Sequence, residues 1–180
     1  MKSMRVVKSA KNKSDGLVMK GLLQRIPIFS GLNNKEFERL MTGMKRQYGK
    51  KGAFLFYEND EGGEMFLIVS GLVKVFKSDA SGHIKTLTFL RDGDFFGEMA
   101  LLDVEARSAS AQFMEDTELM TLEGRSFRSI VDDHTVIALK MLKTMSTRLR
   151  EANRQIEDLA FRNLPGRVAS TIIRLADKHR

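Results

Sequence analysis

Gly97-Glu98-Met99-Ala100-Leu101-Leu102, preceded by Asp94-Phe95-Phe96 and followed by Arg107-Ser108-Ala109, brings together the groups that hold a cyclic sugar phosphate. Gly97 permits a tight turn and a close approach of backbone to ligand. The small, apolar run that begins at Met99 and Ala100 can open a short helix whose free N–H groups face an anion. Glu98 is an acceptor suited to a ribose 2′-hydroxyl. Arg107, nine residues further on, carries a permanent positive fork for phosphate oxygens, and the Ser108 hydroxyl is a second donor. A glutamate and an arginine nine apart are common by chance, whereas the full ordered string is not.

Such a string needs a rigid frame, and the flanking pattern predicts one. Between Tyr48 and Leu122 short apolar runs recur at Phe54 to Tyr57, Phe66 to Val69, Leu72 to Phe76, Ile84 to Leu90, Ala109 to Phe113 and Leu119 to Leu122. Gly62-Gly63, Gly71, Ser81-Gly82 and Asp92-Gly93 punctuate them, which is the mark of an antiparallel sandwich or jelly roll. Ahead of it, Asn33 and Glu36 read as a capping box, with Phe37, Leu40, Met41 and Met44 at helical spacing behind it. Residues 1–16 are polar, basic and aperiodic, and a frayed end is expected there.

After Phe127 the period becomes helical. Ala138, Leu142, Met145, Leu149, Ala152, Ile156 and Leu159 are spaced alternately by four and three, a heptad seam over three heptads that predicts a parallel helix pair and hence a homodimer. Asn163-Leu164-Pro165-Gly166 then reads as a break, followed by a new helix through Val168, Ile172 and Leu175. The fold class expected is α+β, an antiparallel β-roll with flanking helices and a long C-terminal helix.

The 180 residues suffice for one good core plus an appended element, and a hydrophobic content of 42% points to a globular chain. The net charge of +7 is unevenly spread: residues 1–20 hold six Lys/Arg against one acid and residues 140–180 ten against four. A basic C-terminal third suits a segment lying near a phosphate backbone in a longer protein. Zero cysteines exclude disulfides, thiolate zinc sites and cysteine-held iron–sulfur clusters. No apolar run of membrane-spanning length and no signal leader is readable, so the expectation is a cytoplasmic protein with no membrane partner. The histidines His83, His134 and His179 stand apart and read as surface or capping residues. No H-x-H or carboxylate–histidine cluster supports cupin-type catalysis, so no enzyme is expected.

The string from Phe96 to Leu102 followed by Arg107-Ser108-Ala109 resembles the phosphate-binding cassette of cyclic-nucleotide-binding domains. The resemblance continues in chain order through Leu22 to Leu32, through Gly63-Glu64-Met65-Phe66-Leu67-Ile68-Val69-Ser70-Gly71, and to Leu159-Ala160-Phe161. In that order the sequence is similar to the CRP/FNR family of bacterial transcription regulators. The resemblance implies a β-roll at 17–133 that binds a cyclic nucleotide, cyclic AMP or cyclic GMP, with no further cofactor. It further implies a dimerisation helix at 134–162, and at 163–180 the first helix of a helix-turn-helix module. Gly97, Glu98, Met99, Ala100, Arg107, Ser108 and Ala109 are then the ligand-binding residues.

In cyclic AMP-responsive members two adjacent hydroxyl residues on the dimer helix meet the adenine. The matching positions here are Ala152 and Asn153, so the hydroxyls are absent, and an asparagine amide can serve adenine or guanine. Arg148 matches a helix arginine that in the family can pair with the ribose-binding glutamate, here Glu98. Haem-binding members carry a histidine near the cassette, which none of the three histidines matches. No segment here can act as a recognition helix, so the expectation is a sensor and dimerisation region whose DNA reader is truncated or naturally lacking. Two alternatives stay open: the same fold sensing another effector or none, and the regulatory domain of a kinase or channel. The single cassette followed by a long heptad helix favours the bacterial regulators.

Overall fold

The computed structural model describes residues 5–6, 21, 26, 29, 33–103, 105–133 and 135–178. It divides into two units, Met1–Thr135 and Val136–Arg180. In the first, nine strands among the described residues pair antiparallel into two sheets. One sheet holds, side by side, β1 (Arg5–Val6), β2 (Met44–Gly49), β9 (Thr117–Glu123), β4 (Glu64–Ser70) and β7 (Phe95–Phe96). The other holds β3 (Phe54–Phe56), β8 (Ser110–Phe113), β5 (Val73–Ser78) and β6 (Ile84–Leu90). The period-2 alternation of these strands turns Phe66, Ile68, Phe96 and Leu119 of the first sheet towards Val73, Leu90, Ala111 and Phe113 of the second. Burial of each larger side chain in this core contributes about 1.5–3 kcal/mol.

Helices flank the roll. α1 (Asn34–Gly43) starts at the capping box read from the sequence: the Asn33 side chain accepts from the backbone N–H groups of Lys35 and Glu36, and Glu36 accepts the Asn33 N–H. Phe37 and Leu40 on its inner face are fully buried. α2 (Glu98–Leu102) contacts β4, while α3 (Gly124–Asp133) contacts both α1 and β9. The second unit consists of most of α4 (Thr135–Phe161) and of α5 (Leu164–Lys178).

Several boundaries differ from the sequence reading. Met44 is extended and opens β2, so α1 stops at Gly43. β2 itself went unpredicted because Lys45-Arg46-Gln47-Tyr48 is polar. Lys45 pairs with Glu123 and Arg46 with Glu118 across the ladder to β9, and the backbone ladder needs no apolar side chain. Arg5–Val6 pairs with Tyr48–Gln47 for the same reason, within a terminus read as aperiodic. The rest of 1–16, and all of the Leu22 to Leu32 string except Ile26 and Phe29, lie outside the described residues. Gly62 and Gly63 sit in a connection without left-handed backbone, whereas Gly71, Gly82 and Gly93 do adopt positive φ.

The interruption between α4 and α5 is only Arg162–Asn163. Asn163 Oδ1 accepts the Gly166 N–H at 3.1 Å, so Leu164, Pro165 and Gly166 form the first turn of α5 instead of a loop. Asp158 near the end of α4 accepts from Arg162 Nε at 2.8 Å and from Ser170 Oγ at 3.2 Å, which ties the two helices within this unit.

Candidate functional site

The cassette begins where β7 ends. Phe95 and Phe96 are held in register against Leu67 and Phe66 of β4, and the next residue, Gly97, turns the chain with φ 80° and ψ 3°. This left-handed turn launches α2, which buries Glu98, Ala100 and Leu101 and leaves Met99 and Leu102 exposed. The N–H groups of its first turn have no intrahelical acceptor. Gly62 allows the helix to settle: a Cβ there would lie 2.2 Å from the Ala100 Cβ.

Arg107 is built into the roll from both ends. Its backbone N–H donates to the Asp60 carbonyl and its carbonyl accepts from the Asn59 N–H, each at 2.9 Å. Its guanidinium carbon lies 4.5 Å from the centre of the Phe56 ring and 5.2 Å from that of Phe66, and these rings cluster with Phe96. Nη1 donates to the carbonyls of Glu64, at 2.8 Å, and Gly97, at 3.1 Å. The side chain thereby clamps the Gly97 turn to the start of β4.

The residue is only 5% exposed, and Nε is buried with no hydrogen-bond partner among the described residues. Burial holds the guanidinium below its ordinary pKa, while the carboxylates of Glu64, Asp60 and Glu98 pull it back up. Arginine stays charged at neutral pH all the same, so the site carries a fixed, largely desolvated cation. Glu98 is equally buried, at 3% exposure. Ser108 is exposed, and its hydroxyl donates to the Met99 sulfur at 3.6 Å, which bridges the two ends of the cassette. The arrangement can take an anion between the first turn of α2, Arg107 and Ser108, with a carboxylate beside it for a hydroxyl.

Comparison with known proteins agrees with this geometry. The family model described as "Cyclic nucleotide-binding domain" matches residues 46–134. The "Cyclic AMP receptor protein" of Thermus thermophilus is 34% identical over 149 residues, 83% of this chain and 69% of that protein. The chain belongs to the CRP/FNR family. A second CRP/FNR relative, the "CRP-like cAMP-activated global transcriptional regulator" of Mycobacterium tuberculosis, is 29% identical over 160 residues, 89% of this chain and 71% of that protein. Among solved structures, the Thermus thermophilus catabolite activator protein superposes with a TM-score of 0.68 at 35% identity. That match covers 75% of this chain and 63% of the solved one. The chain thus spans less than two thirds of that CRP/FNR structure.

The structure brings together Gly97, Glu98, Met99, Ala100, Arg107, Ser108 and Ala109, with Ala109 buried just before β8. Ala152 and Asn153 are exposed on α4, in the second unit, and Arg148 on the same helix is half-buried. His83 is exposed and its ring meets Asp79 at 3.0 Å in the turn between β5 and β6; His134 and His179 lie outside the described residues. Among the described residues no cluster of His, Asp and Glu could hold a metal ion, and no helix is long and apolar enough to cross a membrane. The sequence reading missed Phe56, Phe66, Asp60 and Gly62, and it missed that the carbonyls of Glu64 and Gly97 hold Arg107. Carbonyl acceptors carry no residue signature, but the Phe56 and Phe66 rings, in strands that follow one another along the chain, are a pattern that could have been read.

Gly97→Ala should be costly for a reason the geometry makes explicit. Its Cβ would meet Arg107 Nη1 at 2.8 Å and the Glu64 carbonyl at 3.1 Å. The left-handed backbone alone costs a non-glycine residue about 1–2 kcal/mol. A lower urea midpoint with an unchanged m-value is expected; a variant with the parent midpoint would contradict this account of the turn.

Proposed function

We propose that the chain is the effector-binding and dimerisation portion of a CRP/FNR-type transcription regulator, with a cyclic nucleotide as the effector. The observation that carries this reading is the buried Arg107, its Nη1 locked by two carbonyls at the Gly97 turn and its guanidinium over two rings, with Nε unused. A buried charged donor calls for an acceptor, and a phosphate meeting a guanidinium in a desolvated site gains a strong charge-assisted bond. In this proposal the N–H groups at Met99 and Ala100, Arg107, Ser108 and the close backbone of Gly97 and Ala109 bind the phosphate. Glu98 accepts the ribose 2′-hydroxyl.

Two copies pair along α4 through Ala138, Leu142, Met145, Leu149, Ala152, Ile156 and Leu159. Asn153, with Ala152, governs base choice, and Arg148 relays ligand occupancy to the helix pair. Ligand favours one arrangement of the helix pair and so sets the spacing of DNA-binding modules in the whole protein. Calorimetric titration with cyclic AMP, cyclic GMP and cyclic di-GMP tests the reading. Saturable binding of cyclic AMP or cyclic GMP supports it, and heat from cyclic di-GMP alone overturns it.

Asn153 should govern base choice and leave the phosphate contacts intact. Asn153→Ala is expected to narrow the ratio of cyclic AMP to cyclic GMP affinity while most of the binding energy remains, because the amide offers a donor and an acceptor to a purine edge. An unchanged ratio in competitive titrations would remove Asn153 from the site.

A further inference from the structure

Of the eight described methionines, Met99 alone is exposed, at 50%; Met44, Met65, Met120 and Met141 are buried, and Met41, Met114 and Met145 are half-buried. It also makes a specific contact, because its thioether sulfur accepts the Ser108 hydroxyl at 3.6 Å. The chain has no cysteine, so methionine is its only oxidisable sulfur. We infer that Met99 is a site of oxidative modification by peroxides, and that its sulfoxide weakens the anion site. This rests on the cyclic-nucleotide reading of the cassette.

In the reaction the sulfur lone pair attacks one peroxide oxygen and the O–O bond breaks. That oxygen stays on sulfur as the sulfoxide, and the other leaves as water after proton transfer. Sulfur loses two electrons and the peroxide gains them. The product is reversible by methionine sulfoxide reductases. A thioether is a weak acceptor, so the Ser108 hydroxyl can leave it for a phosphate oxygen. The sulfoxide oxygen is a polar, strong acceptor placed one bond nearer the hydroxyl, and it retains the proton that the phosphate would receive. Loss of one hydrogen bond to a charged acceptor corresponds to about a tenfold loss of affinity.

The test treats the full chain with hydrogen peroxide and follows each methionine by peptide mass spectrometry. Titrations with cyclic AMP and cyclic GMP are run before and after. Among the described methionines Met99 should gain oxygen first, and nucleotide affinity should fall about tenfold, with recovery on reductase treatment. Met99→Leu, compared with itself before and after peroxide, should show no fall. Oxidation of Met41, Met114 or Met145 as fast as Met99 overturns the site, and an oxidised Met99 that binds as tightly as before overturns the effect. If the untreated chain binds neither nucleotide, the function proposed for the cassette falls together with the effect on affinity. The order of oxidation still stands or falls on the mass spectra alone.

Discussion

Arg107→Ala is expected to weaken cyclic-nucleotide binding by roughly 2–4 kcal/mol, a loss of about 30-fold or more, because it removes a charge-assisted contact from a desolvated site. The substitution should also lower the melting temperature. Nη1 satisfies the carbonyls of Glu64 and Gly97, and the guanidinium fills the space over Phe56 and Phe66. Its removal therefore leaves two acceptors and an apolar gap. Arg107→Lys should restore little, since an ammonium cannot reach both carbonyls and still present a fork to the phosphate.

Ligand and fold effects separate in a thermal-shift series. In the parent chain nucleotide at 100 times its Kd should add about 2.7 kcal/mol of stability. In Arg107→Ala at the same ligand concentration the ligand-induced stabilisation should fall below about 1 kcal/mol while the starting temperature is already lower. If millimolar cyclic AMP and cyclic GMP leave the parent transition unmoved, Arg107 is a structural clamp only and the sensor reading is wrong.

Leu149→Glu should dissociate the chain. Leu142, Leu149, Ile156 and Leu159 follow the heptad seam and are 55–64% exposed on a single copy of α4. In the proposed parallel pair, this stripe along a 27-residue helix is the surface the second copy would cover. A carboxylate at position 149 puts an unpaired charge into the centre of that seam and costs several kcal/mol of assembly, on the order of 3–5. Sedimentation at micromolar concentration should show dimer for the parent and monomer for the variant. A parent chain that sediments as monomer would rule out pairing through α4, leaving the roll and its cassette unaffected. Leu139, which is also exposed but lies off the seam, offers the control: Leu139→Glu should leave the dimer in place.

The cassette string, the capping box at Asn33 and Glu36 and the six apolar strands were all legible in the sequence. Each depends on local rules: side-chain period, turn and cap chemistry, and residue types in a set order. The two-sheet topology, with β9 between β2 and β4 and β8 between β3 and β5, was not legible, because pairing between distant strands is chosen by how apolar faces close on one another. β1 and β2 escaped for a related reason, since backbone ladders hold both, and the Lys45–Glu123 and Arg46–Glu118 pairs tie β2 to β9, without an apolar signature. The same division runs through the site. Residue type alone made Arg107 a phosphate candidate, but only the fold buries it, hands its Nη1 to two carbonyls and leaves Nε unused. Those acceptors are backbone groups every residue carries, and tertiary packing alone decides which of them come within reach.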